Sequence, residues 1–297
     1  EYELVTGVKR DISLLKQVDF TKAKKVTVLD ISMEKNIEAL EQLLNHDIPV
    51  FYADHHRTGE LKESTANHNK LTAMIDLDAN TCTSLLINQH LNEQFYLWAI
   101  AAAYGDNMTA SAETLSDKYQ VTLDDRKFLK SLGIYINYNG YGRNVDDLHF
   151  DPKFLAQSLS NFKSPLALRD DKSSLFYILE SAYHHDMAKA KQAKVHFDSE
   201  ICKVIELDNE AWARRVSGVL GNDLANSAPD KAHAVLTKNK DDSYTVSVRA
   251  PLNNKQGADK VCIQFPTGGG RSAAAGINAL EIRELENFIE TMSDYYR

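Results

Sequence analysis

Ile48-Pro49-Val50-Phe51-Tyr52-Ala53-Asp54-His55-His56 passes from an apolar run to a carboxylate and two imidazoles within nine residues. The apolar part, short and rich in β-branched and aromatic side chains, reads as a buried strand that ends at Asp54. Upstream, Val26-Thr27-Val28-Leu29 is a second such run, ending at Asp30. Between the two, Ser32 caps a helical pattern with Ile37, Leu40, Leu43 and Leu44 on one side. Strand, helix and strand at these lengths predict a parallel sheet with crossover helices. In such sheets ligands bind beyond the carboxyl ends of the strands. Asp30 and Asp54 fall at two of those ends.

Further along, Thr81 to Leu91 reads as a helix, and Leu97 to Tyr104 is apolar and alanine-rich, leading into Gly105-Asp106-Asn107. Residues 110–195 look mostly helical and irregular, broken by the turn-rich Asn137-Tyr138-Asn139-Gly140-Tyr141-Gly142. Tyr183 to Lys194 is polar and reads as a helical connector. From Val195 the pattern changes. Strands are expected at Ile201–Leu207, Ala232–Leu236 and Tyr244–Arg249, and helices at Asn209–Leu224 and about Glu281–Tyr296. Gly268-Gly269-Gly270 and the alanine-rich Ser272–Gly276 lie before the last helix. The expected architecture is α/β. A parallel-sheet domain spans 1–182, a helical connector 183–195, and a smaller α+β domain 196–297, with a cleft between the two domains.

Hydrophobic residues make up 43% and charged residues 26%, an ordinary globular balance. No stretch approaches the ~18 apolar residues of a membrane span, and residues 1–20 carry no secretory pattern. Cys82, Cys202 and Cys262 are far apart and form no CxxC pair, which fits a reducing cytoplasm and argues against a thiolate zinc site. Net charge is −8, and residues 196–297 hold 12 basic against 15 acidic side chains, so neither half has a basic field. Long duplex nucleic acid is a poor partner for such a surface, whereas a small anion held by a few placed cations fits.

Carboxylate and imidazole donors suit divalent ions such as Mn²⁺. Asp30, Asp54-His55-His56 and Asp106 together supply such a set, whereas any one of them alone reads equally well as a cap or a surface residue. Two other acidic groups read as structural. His184-His185-Asp186 lies in the connector and reads as a solvated face, and Asp76-x-Asp78 reads as a cap for the helix starting near Thr81.

Strand-Asp, strand-Asp-His-His and Gly-Asp, in that order, resemble the second, third and fourth motifs of the DHH phosphoesterases. Gly268-Gly269-Gly270-Arg271-Ser272-Ala273-Ala274-Ala275-Gly276 resembles the Gly-Gly-Gly-His-x-x-Ala-Ala-Gly signature of the DHH-associated domain, and Ser247-Val248-Arg249 its Ser-x-Arg strand. The resemblance implies two Mn²⁺ or Mg²⁺ ions, with Asp30 bridging them and His55 and Asp106 as ligands of the second. Asp54 would support the site, and His56 would contact the scissile phosphate or leaving group. Arg249, Arg271 and the backbone of Gly268, Gly269 and Gly270 would grip a phosphate. Arg271 stands where the family often has His. The family's first motif, an Asp-x-Asp-Gly on an earlier strand, has no counterpart before Asp30. Either about 30 further residues lie upstream or one metal site is lost.

The implied activity is hydrolysis of phosphodiesters by a metal-bound hydroxide, on short oligonucleotides, linear dinucleotides or nucleoside phosphates. The rivals are an exopolyphosphatase or pyrophosphatase on the same scaffold and a catalytically silent nucleotide-binding protein. The aromatic segment Tyr135–Tyr141 favours a base-containing substrate if its rings stack on a base; ordinary packing is the equal alternative. The sequence leaves the oligomeric state open, a homodimer included.

Overall fold

A computed structural model describes residues 2–297. The chain divides into two compact units. One takes the chain up to Ile136 together with Phe150–Tyr177; the other takes Asn137–His149 and Ile178–Arg297.

The first unit holds a sheet of β1 (Val26–Leu29), β2 (Val50–Asp54) and β3 (Leu71–Ile75), in that order and all parallel. Helix α1 (Ile37–Asn45) crosses from β1 to β2. Val26, Val28, Val50 and Tyr52 meet Leu40, Leu43 and Leu44 of α1 in one core. Fully burying such a side chain contributes about 1.5–3 kcal/mol. A one-residue slip of β1 would put Thr27 and Leu29 where Val26 and Val28 belong, so the apolar pattern fixes the register. That register sets Leu29 opposite Ala53. Asp30 and the Asp54-His55-His56 run therefore leave the sheet side by side. The sequence does not signal β3, whose residues are half-buried or exposed. Among the described residues no strand precedes β1.

The remaining helices before the second sheet are α2 (Glu63–Ala66), α3 (Thr83–His90), α4 (Tyr96–Gly105), α5 (Thr109–Lys118), α6 (Leu123–Asn139), α7 (Pro152–Leu159), α8 (Ala167–Asp170) and α9 (Leu175–Ala190). The alanine-rich run is thus α4, and Asp106 is its C-cap. Helices α4 and α6 meet backbone to backbone. A Cβ at Gly133 would lie 1.9 Å from the Ala101 carbonyl oxygen, and one at Gly105 would lie 2.7 Å from that of Gly133. The glycine before Asp106 is thereby explained by close helix packing.

The connector expected over 183–195 is helical only to Ala190, where α9 ends, and β4 (Lys194–Asp198) already begins inside it. His184 and His185 are exposed as expected, but Asp186 is buried. It accepts from the Tyr138 hydroxyl and is gripped by Arg215, Nη2 to Oδ2 at 2.7 Å. Spacing along a helix does not reveal a partner 29 residues away.

The second unit adds β5 (Cys202–Leu207), α10 (Ala211–Ser227), β6 (Ala232–Lys238), β7 (Ser243–Arg249), α11 (Ala258–Cys262), β8 (Gly268–Gly270), β9 (Ala274–Glu281) and α12 (Leu285–Tyr296). Its sheet runs β4-β5-β6-β7-β9-β8. Only β5 and β6 are parallel, joined through α10; the other pairs are antiparallel. Val204, Leu236, Val246 and Ile277 on one face share a core with Phe265 and Phe288. Both the parallel-sheet unit and the α+β unit match the architecture expected from sequence.

His233 on β6 is 1% exposed and its Nδ1 has no partner. Burial, aided by the charges of Lys203 and Lys231, pushes this imidazole down to about 4, against a hydrogen bond with the Lys231 backbone. The native state keeps the ring neutral, while the unfolded chain protonates it below its usual 6.5. Its contribution is therefore complete above that value and lost as pH falls toward 4.

Two outcomes are expected. Gly133→Ala should cost about 1–3 kcal/mol in urea unfolding, from overpacking at the α4–α6 contact; an unchanged midpoint would contradict this packing. His233→Gln should reduce the stability lost between about pH 7 and about pH 4 by about 3 kcal/mol, and equal losses in variant and parent would contradict the assignment.

Candidate metal centre

Asp30 leaves β1 in the left-handed region, φ 61°, which is uncommon for a residue other than glycine. Its N–H donates to the Ala53 carbonyl at 3.0 Å. The next carbonyl, that of Ile31, accepts the hydroxyl of the fully buried Tyr52 at 2.7 Å. The turn is thus tied to β2 on both sides of the carboxylate. Thr83, at the start of α3, donates its hydroxyl to Asp30 Oδ1 at 2.8 Å. Desolvation opposes charge on Asp30, but the hydrogen bond and charge of His55, with the charges of His56 and Lys9, outweigh it. The carboxyl is held well below the usual carboxylate range.

Both histidines have one nitrogen committed. His55 Nδ1 lies 2.6 Å from the Thr81 carbonyl, which can only accept, so Nδ1 carries the proton. The lone pair of a neutral ring is then on Nε2, and Nε2 lies 3.2 Å from Asp30 Oδ1. With a second proton on the ring, Nε2 donates to that oxygen; without it, Nε2 offers a lone pair that a cation could take. His56 Nδ1 donates to Asp54 Oδ1 at 2.7 Å, leaving its Nε2 as the available donor atom to a metal. A carboxylate or carbonyl behind a ligating imidazole is the usual way a metal site fixes the tautomer. Asp54 is fully buried, and its Oδ2 has no hydrogen-bond partner. Asp30, His55 and His56 each offer a ligand atom, all within 4.8 Å of one another. One carboxylate and two oriented imidazoles fit a divalent ion.

The grouping differs from the expected one in two respects. His56, expected to contact phosphate, stands with Asp30 and His55, whereas Asp106 lies outside the group. Its Oδ1 is 3.6 Å from Lys9 Nζ. Burial, with the charges of Asp106 and Asp30, pushes the Cys82 thiol up to about 12. Thr81, Thr83, Tyr52 and Lys9 were not legible as site residues. Asp76 and Asp78 do not cap α3, whose N-cap is Cys82; they accept from the N–H groups of Asp78 and Asn80 in successive turns.

In the second unit, Ser247 on β7, Gly276 on β9 and Gly269 on β8 form one row across the sheet, with Arg249 and Ala274 in the neighbouring row. Arg249 is fixed on α10: Nε donates to Asn222 at 2.6 Å and Nη2 to the Gly218 carbonyl at 3.0 Å. The three glycines have different reasons. A Cβ at Gly268 would be 1.8 Å from the Cys262 carbonyl oxygen, and Gly270 has φ 140° and would meet Ala275 at 2.5 Å. Only at Gly269 would a Cβ enter open space. Arg271 forms the turn between β8 and β9, its N–H bonded to the Ala274 carbonyl at 2.9 Å. The aromatic segment is packing: Tyr135 and Tyr138 are buried, and Tyr141 lies against Gly218.

No protein-family model matches the chain, and no curated protein matches it. Among solved structures, it is similar to the DHH domain of a member of a ribosomal-protein family, at 13% identity and TM-score 0.57, over 91% of this chain and 68% of that one. Looser likenesses, both at TM-score 0.47, are to an exopolyphosphatase-related protein from Bacteroides fragilis and a pGpG-specific phosphodiesterase from Vibrio cholerae. The first has 12% identity over 93% of this chain and 73% of that one; the second has 10% identity over 93% and 98%. The chain has the fold of the DHH-domain proteins. No helix among the described residues is long and apolar enough to cross a membrane.

An ion at this centre should stabilise the fold. Mn²⁺ at roughly 100 times its Kd should add about 2.7 kcal/mol, read as a rise in melting temperature. His55→Ala should abolish the rise; an equal rise in the variant would place the ion elsewhere.

Proposed function

We propose that this chain is a divalent-metal-dependent phosphoesterase acting on phosphodiester bonds of short oligonucleotides, linear dinucleotides or nucleoside phosphates. The observation that carries this reading is the pair of histidines with Nδ1 locked on Thr81 and Asp54, their ligand atoms within 4.8 Å of one another and of the Asp30 carboxylate. Such an arrangement can present oriented lone pairs to a cation.

In this reading Asp30 and His55 hold the ion. Asp106, paired with Lys9 here, completes the ligand set, and a second ion is part of the proposal. Asp54 holds the His56 ring so that Nε2 faces the reacting phosphate or the ion. A divalent ion, Mn²⁺ or Mg²⁺, supplies Lewis acidity toward a phosphoryl oxygen and lowers the pKa of a coordinated water. Arg271 and Arg249 would offer guanidinium donors to a phosphate, and the space beside Gly269 would leave room for its approach. The acidic balance of both halves supports a short substrate over a long strand.

One observation favours a second reading. With Tyr135 and Tyr138 buried, the aromatic argument for a base-containing substrate falls away, and polyphosphate or pyrophosphate becomes a competitor. Hydrolysis assays with Mn²⁺ on a dinucleotide, bis-p-nitrophenyl phosphate and polyphosphate separate the two. The dinucleotide and the diester should be cleaved, and Asp30→Ala and His55→Ala should each abolish cleavage. Parental rates in both variants would refute the site, and cleavage of polyphosphate alone would refute the substrate class.

A further inference from the structure

Helix α3 begins without a side-chain cap, since its N-cap is Cys82 and no cap hydrogen bond forms. The hydroxyl next to that end, Thr83 Oγ1, does not serve the helix. It reaches 53 residues back in the chain to Asp30 Oδ1, at 2.8 Å. Thr83 is 5% exposed, whereas the Asp30 side chain is 51% exposed. A half-exposed carboxylate left to itself rotates among orientations. His55 Nε2 lies 3.2 Å from the same oxygen, a longer contact than the 2.8 Å of the Thr83 hydroxyl, and in the metal-site reading that nitrogen faces the ion rather than Asp30.

We propose that Thr83 is a positioning residue for Asp30, its hydroxyl holding the carboxylate in the one orientation that presents it to a divalent ion. The inference rests on the metal-site reading above. The chemistry of the donor suits the task. A neutral hydroxyl orients the anion without neutralising it, whereas a Lys or Arg would compete with the ion for the same charge. It has one proton to give, so Oδ2 and a lone pair of Oδ1 stay available. The β-branch restricts χ1, which limits where the hydroxyl can point. Two residues earlier the Thr81 carbonyl orients His55 at 2.6 Å. The start of α3 therefore sets two ligands at once, one through a backbone acceptor and one through a side-chain donor.

The test measures Mn²⁺ binding by the electron paramagnetic resonance of the free ion, with the full chain. Thr83→Val keeps the shape and removes the hydroxyl, and should weaken Mn²⁺ binding about 10- to 100-fold, the usual effect of losing an outer-shell partner. Thr83→Ser restores the hydroxyl and should bind close to the parent. The urea midpoint without metal should barely separate the serine variant from the parent. Thr83→Ala serves as the hydroxyl-free variant if the valine form does not fold. Parental affinity in the hydroxyl-free protein would overturn the positioning role and leave the metal reading standing. A serine variant as weak as valine would also overturn it, because packing rather than the hydroxyl would then matter. No Mn²⁺ uptake by the parent would overturn both.

Discussion

Parallel pairing of β1 with β2, with Leu29 opposite Ala53, brings Asp30 level with Asp54-His55-His56. Everything at the centre depends on that register. The ladder continues one step past the strand, through the Asp30 N–H and the Ala53 carbonyl, and the chain then turns through a left-handed residue. Keeping the turn in place costs of order 1–3 kcal/mol for such a backbone conformation. The core beneath it, from Val26 to Tyr52 against α1, outweighs that cost. A helix-packed parallel sheet thus acts as a rigid mount, and the reactive groups stand on its rim.

Electrostatics then selects what the rim can do. Asp54 is out of water and pairs with His56 through one oxygen only. Its second oxygen is buried without a hydrogen-bond donor, which costs free energy. His55 Nε2 and Asp30 Oδ1, 3.2 Å apart, are donor and acceptor when the ring is protonated and two acceptors when it is neutral. In the proposed reading a divalent ion beside Asp30 and His55 would take the place of that second proton. Lys9 provides a partial answer for Asp106, and its distance from the carboxylate is long for a tight pair. In the second unit the logic is reversed. There Arg214 takes Asp147 with two nitrogens, at 2.7 and 2.9 Å, and Arg215 takes Asp186. Arg214 and Arg215 thus tie α10 to Asp147 in the Asn137–His149 segment, and Arg215 also ties it to Asp186 on α9.

The sequence made two strands of the sheet and the candidate ligands visible because local rules govern them. Apolar runs of strand length ended in Asp30 and Asp54, and periodic leucines marked α1. Asp54-His55-His56 could be read because three chemical groups were adjacent in sequence. What stayed hidden depends on distant partners. Thr83 meets Asp30 across 53 residues, and Asp186 is buried by Arg215 and Tyr138. Glycines are ambiguous in sequence for the same reason: Gly105, Gly268 and Gly270 answer to neighbours in the fold, and Gly269 alone faces open space. Strand β3 escaped notice because its side chains are half-exposed and lack the alternation of β1.

The most direct test is crystallographic. Crystals grown with Mn²⁺ and measured at the manganese absorption edge would locate the ion by its anomalous signal. The account predicts a peak bonded to Asp30 and to Nε2 of His55, with Nδ1 still donating to the Thr81 carbonyl and His56 still held by Asp54. A peak away from Asp30 and His55, or a His55 ring turned so that Nδ1 faces the ion, would contradict it.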